Sequence, residues 1–421
     1  MTLTIRISYS NNMKSQNLIK LVKPVIIVFY LLFVCLIFAE TTTTITDIEV
    51  QGLKRTNPIV VKNLLKAYIN RDADKINTDE IIALLVATGI FENVTVSVKE
   101  NTNQTVLFIS LEEKWSIIPL PLVSIKSDSY VFGLGFFDAN AFGLNHKLFS
   151  SASVSSKGPS IALGYIINSL WQSKWDGVFS ISYATKDETF TDVYEHEIST
   201  SDITSFSATI SGNYSILNIL KWDFGFEYQT KSYTDEQDTD LTSLGLQTGI
   251  TLQSNAHWNG VFLTMSGVQF YYTWYYGIEG PSYGVFLTKG SYETAPVKNL
   301  KLSFRSVGLW GPQTPQLAEI GANKLGLIIL PDTYTVYTMA TFRSGLELKL
   351  FSSGIVTFAG LAHYHIGYSE GSRTEPHIDY GPSFGLRLYL AKVALPAMDI
   401  NIAYNQTTGL YQASFSIGMQ M

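Results

Sequence analysis

The sequence predicts a mainly β protein, a transmembrane antiparallel β-barrel of about sixteen strands behind a small α+β domain. Three observations carry that expectation. From Trp115 to Met421, segments of roughly ten residues alternate apolar and polar side chains between turn residues. Leu244, Leu246, Thr248, Ile250 and Leu252 interleave with Ser243, Gly245, Gln247, Gly249 and Gln253, so one face of the strand is apolar and the other polar. Both faces need a solvent, and a barrel with lipid outside and water inside supplies both. The chain also carries 24 Tyr, 24 Phe and 7 Trp, with no continuous apolar helix after the N-terminal region. Finally, residues 45–113 change pattern and read as a separate unit.

Residues 1–39 read as a secretory signal, because Lys14, Lys20 and Lys23 precede the apolar run from Pro24 to Ala39. Cleavage is expected after Ala39, although Ile37 suits the position two before it poorly. Met13 can serve as the start. The one cysteine, Cys35, lies within that run, so the mature chain has no thiol and its folding needs no redox chemistry. The compartment implied is the envelope of a double-membraned bacterium.

Ile45, Ile48 and Val50 predict a strand ending at Gly52. Thr56, Asn57 and Pro58 then open a helix with apolar spacing over Ile59 to Ile69. A second helix is expected over Thr78 to Thr88, with Asp79 and Glu80 in its first turn and Gly89 stopping it. Val94, Val96 and Val98, then Val106, Phe108, Ser110 and Glu112, predict a hairpin around Asn101 to Gln104. Glu112 and Glu113 end its second strand beside a linker and read as solvated acids.

The run Ile48-Glu49-Val50-Gln51-Gly52, the turn Gly89-Ile90-Phe91-Glu92-Asn93-Val94 and the closing Leu111-Glu112-Glu113-Lys114 together resemble a POTRA domain, over residues 45–114. The resemblance implies a periplasmic module with an open sheet edge, to which an extended client can pair by strand addition. Gly52, Gly89 and Phe91 are its motif residues here.

The barrel, residues 115–421, is expected to place strands at 116–126, 129–138, 146–156, 159–168, 175–186, 203–214, 220–233, 241–254, 260–276, 283–295, 299–311, 334–350, 355–368, 377–391, 397–405 and 409–421. An even count returns both termini to one side. Short connections, such as 139–145, 215–219 and 351–354, alternate with longer acidic ones such as 187–202 and 234–240, which are expected at the outer face. The longest gap, 312–333, falls after the eleventh strand.

Phe132-Gly133-Leu134-Gly135, Gly385-Leu386-Arg387 and Asp399-Ile400-Asn401 make the barrel similar to the family of outer-membrane assembly and translocation barrels that includes BamA, TamA and the two-partner secretion pores. That family folds its sixth outer loop into the lumen, and there an Arg of a Val-Arg-Gly-Phe motif meets an Asp of the thirteenth strand. The matching residues here are Lys324, Leu325, Gly326 and Leu327 in the loop and Tyr364, His365 and Gly367 in the strand. The charge pair is therefore missing, and a lock between loop and wall must be built differently. The resemblance also implies a weak seam between first and last strands. Pro119 and Pro121 lack ladder donors, and Phe415, Ile417, Met419 and Met421 keep the outward alternation of the last strand, although the family ends on an aromatic residue.

No nucleophile elbow, phosphate loop or His-Glu-x-x-His appears, so no catalytic, cofactor or metal site is expected and the chain is read as no enzyme. His363 and His365 share a lumenal face, and two histidines alone make a poor metal site. A net charge of −6 gives no basic footprint for nucleic acid. The expected partners are the outer-membrane bilayer, unfolded client proteins and accessory envelope proteins. The expected function is assembly or insertion of outer-membrane proteins, or protein translocation. The alternative is a passive channel or structural envelope protein that has lost the activity.

Overall fold

The computed structural model describes residues 43–101, 104–125, 130–155, 158–170, 173–233, 240–394 and 397–417. The expected signal segment and two of the expected seam residues, Met419 and Met421, lie outside these residues.

The small unit folds in the order β1 (Ile45–Gln51), α1 (Pro58–Leu64), α2 (Thr78–Ala87), β2 (Phe91–Asn101) and β3 (Gln104–Glu113). Its sheet has the order β1-β3-β2, with β1 parallel and β2 antiparallel to β3. Ile45, Ile48, Val61, Ile81, Leu85 and Phe91 fill the core between sheet and helices. Gly52 takes φ +98°, and a Cβ there would lie 1.8 Å from the Leu111 carbonyl oxygen, so only glycine lets β1 leave the sheet at that point. Asn77 caps α2 by accepting from the Asp79 and Glu80 amides, and Gly89 at φ +78° ends it. The first helix is shorter than its apolar spacing suggests. Asn70, at φ +64°, turns the chain back to β1, where the Asn70 amide donates to the Ile45 carbonyl and the Ile45 amide to that of Arg71. The segment Lys66–Tyr68 therefore tightens into a 3₁₀ turn.

Among the described residues the remainder is built around one antiparallel sheet of sixteen strands in sequence order. The strands are Ile117–Ile125, Tyr130–Ala141, His146–Ser155, Gly158–Ile167, Trp175–Thr191, Glu197–Leu217, Leu220–Tyr233, Leu241–Gln253, Gly267–Glu279, Tyr283–Val297, Leu300–Trp310, Thr338–Ser352, Val356–Gly371, Thr374–Leu390, Met398–Tyr404 and Tyr411–Ile417. They are numbered first to sixteenth below, and the end of the barrel that carries the small unit is called inner.

Alternation sets the wall. In the ninth strand Val268, Phe270, Tyr272, Trp274, Tyr276 and Ile278 are exposed, while the residues between them turn inward. Register continues the lipid-facing band across neighbours, since Trp274 lies opposite Leu246 and Leu246 opposite Phe226.

Three connections depart from expectation. The stretch 187–202 is largely strand, because the fifth and sixth strands stay paired as far as Thr191 opposite Glu197. The twelfth strand starts later, at Thr338, because Thr335–Val336 pairs with Ile320–Gly321 within the preceding loop. The ninth begins at Gly267, and residues 254–266 form a small inner hairpin in which His257–Trp258 pairs with Leu263–Thr264. Helix α2 rests against that hairpin.

The unit and barrel are also joined near the first strand. The Arg55 guanidinium donates to both Asp138 oxygens, at 2.9 and 2.6 Å, and to Ser116 Oγ at 2.6 Å. Asn140 Nδ2 donates to Thr56 Oγ1 at 2.8 Å, and the Asn57 amide to the Gly143 carbonyl at 2.9 Å. Glu112 and Glu113 are structural rather than merely solvated. Glu113 accepts from the Arg55 and Thr56 amides at 2.8 Å each, and Glu112 meets Lys392 at 2.9 Å. Successive strand residues point to opposite faces, so the two acids reach different partners.

Candidate functional site

The sixth outer loop, 311–337, turns back into the barrel. Its apolar residues cannot face a wet lumen singly, so they form a plug among themselves. Leu327, Ile328, Ile329, Leu330, Tyr334 and Val336 are buried together against Leu309 and Met339 of the wall. Polar contacts fix the plug from several sides. Lys231 Nζ donates to the Leu317 carbonyl at 2.6 Å, Glu319 accepts from the Ser372 amide at 2.7 Å, and Tyr334 OH lies 3.2 Å from Ser369 Oγ.

The loop residues Lys324 to Leu327 reach the thirteenth strand. A Cβ on Gly367 would lie 2.7 Å from Leu327 Cδ2, so the side chain occupies the space that the glycine leaves. The Gly326 backbone lies beside the His365 ring, whose Nε2 is 2.9 Å from Ser383 Oγ. Leu325 is buried in the plug, and the stem of Lys324 lies along Gly321. Tyr364 is different. It is half exposed on the lipid side, and its hydroxyl donates to Gln406 at 2.9 Å, so it takes no part in the contact with the loop.

On the lumenal wall beneath lies a charged network that sequence reasoning did not assemble. Arg387 of the fourteenth strand donates to both oxygens of Asp399 on the fifteenth, each at 2.6 Å, and to Glu347 of the twelfth at 2.9 Å. Tyr389 also donates to Glu347. Lys301 bridges Glu347 at 3.3 Å and Glu293 at 3.9 Å, and Arg305 meets Glu293 at 3.2 Å. The signal was the run of inward charged positions on strands ten to fifteen. Bidentate geometry and burial make these pairs specific. Among the described residues the network ends at the fifteenth strand. His363 and His365 stand nearby with ring centroids 6.1 Å apart, and among the described residues no third His, Cys, Asp or Glu joins them.

At the outer end, the tip of the hairpin between fifth and sixth strands crosses the mouth. Val193 is buried with the plug, the Thr191 and Thr333 hydroxyls are 2.8 Å apart, and Tyr194 meets the His377 ring edge-on at 6.1 Å. Gln412 of the last strand donates to Glu195 at the same tip.

The seam residues lie at the two ends of the sheet. Among the described residues no ladder joins the first strand to the sixteenth. Pro119 and Pro121 lie outward, opposite Phe136 and Leu134, and Phe415 is outward on the last strand. The backbone of Ile417 continues that strand.

No protein-family model and no curated protein matches the sequence. Solved structures match the fold. BamA from Haemophilus ducreyi lacking POTRA domains 1–3 is 12% identical with a TM-score of 0.50, over 89% of this chain and 84% of that one. CdiB from Acinetobacter baumannii is 13% identical with a TM-score of 0.56, over 89% and 74%. The fold is that of the BamA and CdiB barrels. CdiB from Escherichia coli, 12% identical with a TM-score of 0.59 over 89% and 75%, agrees. At these identities the likeness to BamA and CdiB concerns the fold.

Proposed function

We propose that this chain is an outer-membrane barrel that inserts outer-membrane proteins or translocates protein, with no catalytic chemistry. Residues 1–39 direct export, and residues 45–114 act as a single POTRA domain in the periplasm that receives unfolded clients. The observation that supports the reading is the sixteen-strand sheet around a plugged lumen, in which no ladder joins the first strand to the sixteenth among the described residues. An unpaired strand edge is a template for an incoming strand. The charged network braces the wall as far as Asp399 of the fifteenth strand, which pairs with the sixteenth over Met398 to Tyr404. In place of a loop-to-strand ion pair, Leu327 against Gly367 and Gly326 beside His365 form the lock. Accessory envelope proteins would act at the small unit.

Depletion followed by outer-membrane proteomics tests the reading. Loss of several other barrels marks an insertion factor, and loss of one exported protein from the medium or surface marks a translocator. An unchanged envelope would overturn both. The exchange of the family's Arg and Asp for Lys324 and His365 favours a passive channel instead. A channel predicts large, steady conductance in planar bilayers from the intact protein, whereas a plugged barrel predicts a closed baseline.

A further inference from the structure

The short connection between the fourteenth and fifteenth strands touches two other parts of the chain at once. Its backbone clasps the link that precedes the first strand: the Trp115 amide donates to the Lys392 carbonyl at 2.8 Å, and the Ala394 amide donates to the Trp115 carbonyl at 2.7 Å. This clasp ties the chain ahead of the first strand to the connection ahead of the fifteenth, on the other side of the seam, at the inner end. The Lys392 side chain points the other way, to the small unit, with Nζ 3.0 Å from Glu92 and 2.9 Å from Glu112.

Those two acids are direct partners across β2 and β3. Like charges in that position repel, and the repulsion is relieved by a cation held between them. Here the cation comes from the barrel. One residue thus contacts the small unit by its side chain and the inner end of the seam by its backbone. We infer that Lys392 and its neighbours form a latch, in which docking of the small unit and closure of the inner seam are one coupled state. Release of Glu92 and Glu112 loosens the Trp115 clasp. The half-exposed ammonium makes the latch weak enough to be reversible. The coupling concerns the mechanics of the chain and holds for either reading of its function.

The test uses the full mature chain in nanodiscs. The double variant Glu92→Gln/Glu112→Gln changes only the small unit. Spin labels at Lys66→Cys and Ser353→Cys, both exposed, report docking. Hydrogen exchange of peptides containing Trp115 and Ala394 reports the clasp. The expected result is a broadened label distance together with exchange faster by about three- to tenfold, as for removal of one or two weak ion pairs. A broadened distance with unchanged exchange overturns the coupling, as does faster exchange with an unchanged distance. No change in either shows that the ion pairs hold nothing. Should the double variant fail to give a folded band on a semi-native gel, the wild-type chain carries the same two readouts between about 0.05 and 0.5 M salt, where exposed pairs are screened.

Discussion

Each wall position faces lipid or lumen, and single charges report which. Leu246 is 61% exposed on the apolar band, whereas Gln247 faces Gly225 across the ladder inside. Leu246→Arg should lower the yield of folded barrel through a cost of about 2–4 kcal/mol near the midplane, and Gln247→Arg should not. Equal folded fractions on semi-native gels would remove the assignment. Gly367 provides the second test at this scale. Gly367→Leu fills the space of Leu327 and should start to release the plug, seen as a lower temperature of loss of the folded band. His365→Ala, which removes no volume from beneath Leu327, should shift it less. The adjacency of Glu112 and Glu113 shows where single residues mislead. Two acids in a row look solvated, yet strand alternation sends one to Lys392 and the other to the amides after β1.

Among elements, the sixth loop and the joint to the small unit carry the most consequence. Deleting Ala322 to Leu330 removes much of the buried plug, and the barrel should lose heat resistance while retaining its ladder. A folded band as heat-stable as wild type would mean that the plug adds no stability. Glu113 gives the joint a pH dependence. Burial pushes its carboxyl up, but hydrogen bonds from Thr56 and Arg55 outweigh this and hold it below the ordinary range. A depressed carboxylate stabilises the folded state above its unfolded value of about 4.3, and that contribution is lost as pH falls through the folded value. Protease resistance of residues 45–114 should therefore fall below about pH 4, and Glu113→Gln should flatten that part of the profile. The strands within the membrane were legible because lipid and water enforce a strict period of two. Beyond the membrane the enforcement ends. The polar ladder from Asp187 to Thr191 with Glu197 to Asp202, and the inner pair 257–258 with 263–264, carry no such pattern and could not be told from loop.

For the whole molecule, the seam is where the proposed assembly function and the channel reading part. Leu120 and Ser414 both lie on the lumenal side of their strands, so cysteines at Leu120 or Leu122 paired with Gln412 or Ser414 sample the register without crossing faces. The mature chain has no thiol to interfere. Under the proposed function a crosslinked barrel should lose client assembly, and reduction should restore it; full activity of the locked form would rule out lateral opening. The order of strands and the long gap 312–333 were readable from spacing, and the inward fold of that loop from the family resemblance. The charged network was not, because Glu293, Lys301, Glu347, Arg387 and Asp399 come from five strands and meet only once curvature brings them together.

The small inner hairpin has a mechanical meaning of its own. It lies between the eighth and ninth strands, half a turn round the ring from the first and sixteenth, and α2 rests on it while Arg55 grips the second strand. The small unit is thus a cross-brace over the inner rim. Barrel diameter grows with strand number. A ring that takes in even one more strand outgrows a brace cut for sixteen, so either the hairpin or the Arg55 end must let go before the ring can widen.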